Sequence, residues 1–167
     1  MKKVLLAIVL IFSAGTLMAQ SKIAHVNSQQ LLDTMPSRVA AIQKLQEFEK
    51  SGVTELQEME ADLNAALAKY ERARPNMSPV IIKIEEEKLM KKQQALQERE
   101  QSLNSEMQAY SNELNAPILQ MVQDAVKIVS ERKKLNYVID ESVTLYFAGG
   151  TDITDEVIVE LLKMDAQ

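Results

Sequence analysis

Two uninterrupted stretches of equal length leave this chain little choice of architecture. Ser37 to Arg74 and Pro79 to Ala116 each cover 38 residues, the first with a single glycine at position 52. Both are rich in Glu, Gln, Lys, Leu and Ala, the strong helix formers. Arg74-Pro75-Asn76-Met77-Ser78-Pro79 separates them. Ser78 is predicted to cap the second helix and Pro79 to occupy its first position. Helices of this length reach about 57 Å at ~1.5 Å per residue, and so short a connection turns them antiparallel. Folding the chain about residues 76–77 sets Pro117 opposite Pro36, so helix breakers bracket one hairpin.

The seam of that hairpin is written in heptads. Leu56, Met59, Leu63, Ala66 and Tyr70 step by three and four, whereas Ile82, Leu89, Leu96, Leu103 and Tyr110 recur every seven residues. A seven-residue repeat marks a left-handed coiled coil. The intervening positions on the second helix are polar (Glu85, Lys92, Arg99), with Met107 the exception. Half a seam can join two helices but cannot fill a globular core, which predicts a thin, flexible arm over 37–116. A dimerising rod is the alternative for any heptad run, and the central break favours the hairpin.

Outside the arm the pattern changes. Lys22 to Asn27 alternates like a short strand, and Asn27 with Gln30 resembles a helix-starting pair ahead of Leu31 and Leu32. Pro117 is expected to end or kink the second long helix. Beyond it Ile118, Leu119, Met121, Val122, Ala125, Val126, Ile128 and Val129 form a dense apolar face. Leu135–Asp140 and Val143–Phe147 read as strands, and Ala148-Gly149-Gly150 as a turn. A last helix follows, with Thr154 as N-cap, Ile153 and Ile158 as a hydrophobic staple, and Asp155 and Glu156 complementing its dipole. The expected fold is mainly α with a small β body, built from 20–36 and 117–167, from which the antiparallel hairpin projects. So small a body is marginal alone and is expected to oligomerise through its sheet. Candidate interface residues are Ile23, Val26, Tyr137, Val138, Ile139, Val143, Leu145 and Phe147. A monomer stabilised by its helices is the alternative.

The first nineteen residues read as an export leader. Lys2 and Lys3 precede an apolar run from Val4 to Phe12, and small residues lead to a cut placed after Ala19. An uncleaved anchor is the alternative, but nine apolar residues are short for roughly 30 Å of hydrocarbon. Removing two lysines takes the formal charge from -5 to -7. Four Gly, four Pro, no Cys, one His and no Trp exclude glycine-rich phosphate loops, thiol chemistry and Cys/His zinc sites. Few aromatics and a negative charge argue against nucleic acid. No cofactor and no catalytic residue is expected. His25 has no evident nucleophile partner and is expected to pack in the core or at the interface. Asp140 and Glu141 would point to opposite faces of a strand and make a poor acid/base pair.

Charge is uneven along the arm. Lys69, Arg72, Arg74, Lys83, Lys88, Lys91 and Lys92 outnumber Glu71, Glu85, Glu86 and Glu87 by three, so the distal arm is basic in an acidic chain. Such a tip attracts acidic unfolded chains or anionic membrane surfaces, although a solvated helix face is the plain alternative. Methionine suits adaptable contacts. Met77 at the tip and Met90 on the second helix are therefore contact candidates together with those seven bases, whereas Met59 and Met107 also serve the seam.

The order KIAHVNSQQLL, the LQEMEADL stretch from Leu56 to Leu63, and LNYVIDESVTLYFAGGTDITDEVIVELL resembles the Skp/OmpH-like family of periplasmic chaperones over nearly all of 22–162. That resemblance implies a homotrimer whose strands build a central barrel. Its three hairpin arms would enclose a cavity holding unfolded outer-membrane β-barrel proteins, without ATP or an active site. The family's lipopolysaccharide association is not carried over, because residues 100–126 contain no Lys or Arg. A structural coiled-coil adaptor of an envelope assembly is the competing function. It explains the arms but not the C-terminal strands.

Overall fold

The structure, a computed structural model, describes residues 22–166. The expected leader and its cut after Ala19 lie outside the described residues. The chain divides into two compact units, one made of 22–36 and 119–166, the other of Ser37–Ile118.

The second unit is the helical hairpin. Helix α2, Pro36–Ala73, begins on a proline, whose fixed φ and missing N–H suit a first turn. A short 3₁₀ turn, Arg74–Asn76, reverses the chain, and α3 restarts at Pro79 with the Ser78 hydroxyl accepting from the Ile81 N–H at 3.4 Å. Cross-helix partners verify the antiparallel register. Glu55 meets Arg99, Asp62 meets Lys92 and Tyr70 meets Glu86, while the Phe48 and Tyr110 rings lie 5.2 Å apart. These pairs fold the chain about residues 77–79, slightly beyond the centre read from the prolines. Leu56, Met59, Leu63, Ala66, Tyr70, Ile82, Leu89, Leu96 and Tyr110 are all half-buried, as half a seam requires. The tightest point is Leu103, buried against Gly52. A Cβ on Gly52 would stand 2.3 Å from Leu103 Cδ1, so glycine here admits the leucine. The polar seam positions are used as well. Arg99 reaches Glu55 at 2.9 Å and Glu106 at 3.1 Å, and Lys92 pairs with Asp62.

Pro117 does not end α3, which continues to Lys133. A proline inside a helix forfeits one backbone hydrogen bond and crowds the carbonyl four residues back. The apolar residues that follow keep the helix going, with Ile118, Ala125 and Val129 buried.

The other unit is built on three short parallel-paired strands. Strands β1 (Ile23–Val26), β2 (Tyr137–Asp140) and β3 (Thr151–Asp152) lie in the order β2-β1-β3. Parallel neighbours require a crossover, and between β1 and β2 the whole hairpin serves as that connection. Helix α1, Ser28–Asp33, starts where Asn27 Oδ1 accepts from the Gln30 N–H at 2.9 Å, the cap expected from sequence. Ala24 and Val26 face the core of this unit, whose other buried side chains include Leu31, Met35, Val129, Val157 and Leu161.

Two sequence expectations change here. Val143–Phe147 forms no strand: Glu141–Val143 is a 3₁₀ turn and residues 144–150 are irregular. The cause is local. Asp140 Oδ1 accepts from the Ser142 N–H at 3.0 Å and the Thr144 hydroxyl donates to the Asp140 carbonyl at 2.9 Å, which turns the backbone away from a ladder. The turn closes at Gly150, whose φ of 99° favours glycine. Nor is Thr154 the N-cap of the last helix, α4. It is the first residue of Thr154–Asp165, after Ile153, and Asp152 Oδ1 accepts its N–H at 2.9 Å. The Thr154 hydroxyl instead donates to Asp152 at 2.6 Å and accepts from the Asn27 N–H at 3.1 Å, tying α4 to the end of β1.

Candidate functional site

The sheet sorts the candidate interface residues into two groups. Register pairs Ile23 with Tyr137, Ala24 with Val138, His25 with Ile139, and Val26 with Asp140. Since alternate strand residues share a face, Ile23, His25, Tyr137 and Ile139 lie together on the side away from the core. Ile23, Ile139 and Tyr137 remain exposed there, the last by 64%. Val26 and Val138 share the opposite face, Val26 buried in its own chain's core and Val138 half-buried. Val143, Leu145 and Phe147 sit beyond β2, where Val143 is 77% exposed and Leu145 fully so.

His25 is half-buried and has partners within its own unit. Its Nδ1 donates to Glu141 Oε1 at 2.7 Å, and its ring lies 4.7 Å from that of Phe147. Glu141 also accepts from Asn27 Nδ2 at 3.0 Å. The Thr154 hydroxyl and N–H, with a smaller contribution from His25, hold the Asp152 carboxyl below its usual range. Among the described residues, His25, Glu141 and Asp152 form the one group of metal-ligating type, with ligand atoms within 4.8 Å of one another. Each carboxylate already has protein donors, so the group works as a clasp that pins the 141–152 segment to β1. Asp140 serves the Ser28 and Ser142 N–H groups instead, so it and Glu141 act on different partners.

At the end of the hairpin the basic candidates are all exposed. Lys88 pairs with Glu85 at 2.6 Å, Lys92 with Asp62, and Arg74 Nε donates to the Tyr70 hydroxyl at 3.0 Å. Lys69, Arg72, Lys83 and Lys91 form no ion pair among the described residues. Tyr70 in turn donates to Glu86 at 2.6 Å, which raises its pKa and keeps it a donor. Met77 is half-buried rather than free at the tip. It lines a crevice of 270 Å³ between α2 and α3 with Ala66, Ala73 and Leu89, and Lys69, Lys88 and Lys92 line it too. Met90, 68% exposed, follows Lys88 by two residues and so lies round the helix from that crevice.

Sequence reasoning overlooked Val80, Ile81 and Ile84, which are exposed at the start of α3, Val80 by 69%. The signal was present. Three successive apolar residues, Val80-Ile81-Ile82, cannot all face one narrow seam. The arm thus ends in apolar side chains interspersed with unpaired lysines and arginine.

The profile of the family described as outer membrane protein (OmpH-like) matches residues 22–161. The chain belongs to the OmpH-like family. Among its OmpH-like relatives, "Chaperone protein Skp" of Photorhabdus laumondii is 31% identical over 165 residues, covering 96% of this chain and 99% of the relative. The protein of the same name from Yersinia pseudotuberculosis is 38% identical over 149 residues, 89% and 90% of the two chains. A crystal structure of an OmpH-like outer membrane chaperone from Caulobacter crescentus shares the fold, with a TM-score of 0.75 at 18% identity over 89% of this chain and 86% of that one. The mainly helical fold with a long hairpin and a small sheet is therefore the OmpH-like fold.

Proposed function

We propose that this OmpH-like chain is an ATP-independent periplasmic holdase that keeps unfolded outer-membrane β-barrel proteins from aggregating. The observation that carries the reading is the hairpin end, where exposed Val80, Ile81, Ile84 and Met90 alternate with basic residues. An unfolded chain offers scattered apolar groups, and adaptable, partly apolar surfaces retain such chains without committing to one sequence. Chaperones of related sequence support the same reading. The leader expected over residues 1–19 would deliver the chain to the periplasm.

The working assembly in this reading is a homotrimer, with clients held between the hairpins. Its support is the apolar sheet face of Ile23, Tyr137 and Ile139, continued by exposed Leu145 and Tyr146. Few monomers leave such a patch uncovered. The basic hairpin end also favours transient contact with an anionic membrane surface. Among the described residues no helix is long and apolar enough to cross a membrane.

The test is light scattering of a urea-unfolded outer-membrane β-barrel protein diluted into buffer without nucleotide. The mature chain is expected to suppress scattering at a few-fold excess over client. A rigid adaptor would instead leave scattering unchanged and bind one fixed partner stoichiometrically.

A further inference from the structure

We propose that the crevice between the end of α2 and the start of α3 anchors one apolar client side chain that has a carboxylate beside it. The inference rests on the holdase reading and names the chemistry that this part of the hairpin selects. At 270 Å³ the crevice falls below the roughly 300–1,000 Å³ of sites that enclose a whole small molecule. It is sized for a single large side chain. Its apolar wall is Ala73, Met77 and Leu89, and the two alanines of the seam, at 66 and 73, leave the volume that larger residues would fill.

The charge of the lining favours an anion. Lys69, Lys88 and Lys92 line the crevice, against one lining carboxylate, Glu85. Glu85 is occupied by Lys88 and Asp62 by Lys92, whereas Lys69 forms no ion pair. Lys69 is therefore the cation most available to an incoming carboxylate. One wall is already fixed, because Tyr70 is held between Glu86 and Arg74, so ordering it costs the complex little. Ile81 stands one turn before Glu85 on the same side of α3 and is exposed. It extends the apolar track for the next residues of an extended chain. A lipid tail would need a longer channel than this, so the geometry favours a peptide over a membrane lipid.

The test follows the Met77 methyl resonance of the mature chain, labelled with ¹³C-methyl methionine, during titration with unstructured peptides. Three Gly/Ser peptides serve as probes: Phe flanked by Asp, Phe flanked by Lys, and Ser flanked by Asp. The Phe–Asp peptide is expected to shift Met77 and bind about tenfold more tightly than either control, a difference of about 1.4 kcal/mol. Ala73→Leu, which fills the crevice, is expected to weaken it about tenfold. Lys69→Glu should weaken it about fivefold and leave the Phe–Lys peptide no weaker. Circular dichroism checks that helicity is retained. Should Ala73→Leu disturb it, Lys69→Glu decides the matter, since that side chain is exposed and unpaired. Equal binding of the three peptides, or no effect of Lys69→Glu, overturns the proposal. So does a Met77 shift produced by phosphatidylcholine/phosphatidylglycerol vesicles alone, which would make the site one for lipid headgroups. If scattering is still suppressed while these titrations are flat, only the crevice assignment falls. If the parent chain fails to suppress scattering, the holdase reading falls.

Discussion

Replacing Gly52 with alanine should destabilise the hairpin, although alanine is the better helix former. Glycine in a helix interior costs roughly 0.5–1 kcal/mol relative to alanine, so the exchange alone is favourable. Against it stands the contact with Leu103. The new Cβ would meet Leu103 Cδ1 at 2.3 Å, Cδ2 at 2.8 Å and Cγ at 3.1 Å. The terminal methyls can rotate away, but Cγ is nearer the backbone, and relieving it moves the side chain out of the tightest point in the seam. Overpacking of this kind costs about 1–3 kcal/mol, which leaves a net loss of about 0–2.5 kcal/mol. In a Leu103→Ala background the obstacle is gone, and the same Gly52→Ala exchange should stabilise by about 0.5–1 kcal/mol. The coupling between the two positions is then about 1–3 kcal/mol.

Urea titrations followed by helical circular dichroism, at one protomer concentration, would measure the four chains of this cycle. With slopes of roughly 1–3 kcal/mol per molar, each kcal/mol moves the midpoint by about 0.3–1 M. The decisive feature is the reversal of sign between backgrounds. A Gly52→Ala exchange that stabilises equally with and without Leu103 would show that the leucine does not pack over the glycine, and the register of the seam would be wrong.

Three further outcomes follow from other parts of the molecule. Lys134 adopts φ 54° just after α3, so Lys134→Gly should raise stability by about 0.5–1 kcal/mol in the same titrations, as glycine relieves a left-handed cap. Asp152 has a folded pKa below its unfolded value, chiefly through the Thr154 hydroxyl. Its contribution is therefore present above the unfolded value and lost as pH falls through the folded one. Thermal melts of Asp152→Asn against the parent should converge in acid below the ordinary aspartate range and diverge near pH 7. Reversing Arg72, Lys83 and Lys91 to Glu should slow stopped-flow capture of an acidic unfolded client and flatten its salt dependence with little change in release. Exposed charges act through a field screened within about 10 Å at 0.1 M salt and alter association more than dissociation. Faster release in the variant would make these residues short-range contacts instead.

The hairpin was legible because its signal is periodic and long. Leu56 through Tyr70 and Ile82 through Tyr110 repeat often enough to set seam and direction, and the Asn27 cap lies within three residues of its target. What escaped reading depends on competition between local and distant groups. Pro117 reads as an end or a kink, and buried Ala125 and Val129 carry the helix past it. Val143–Phe147 has strand composition, yet the Asp140 side chain captures the Ser142 N–H and turns the backbone. Thr154 looks like a cap, yet its hydroxyl is taken by Asp152 and Asn27. The contact of His25 with Glu141 spans 116 positions, beyond what a local pattern shows. At the hairpin end charge is the plainer signal, and the exposed Val80, Ile81 and Ile84 fall within a helix whose heptads point to the seam.

Economy of burial links the hairpin to its proposed work. In the unit Ser37–Ile118 the buried residues are Ala41, Gly52, Leu103 and Ile118. Over that length the seam is otherwise half-buried and stitched by exposed or half-exposed pairs such as Asp62–Lys92 and Glu55–Arg99. Surface ion pairs of this kind contribute about 0–1 kcal/mol each, so the two helices are held together weakly along most of their contact. Elements with few buried apolar contacts open and bend at low cost. The one tight point, Leu103 over Gly52, fixes register without stiffening the region beyond it, where Met77 and the unpaired lysines stand. A surface that must fit many unfolded chains benefits from that division, because register keeps the binding groups presented while the loose seam lets them move to meet each client. Filling the seam with leucines at positions 85, 92 and 99 should therefore raise thermal stability while lowering the range of clients whose aggregation is suppressed. If such a chain kept its full client range, compliance of the hairpin would have no part in binding.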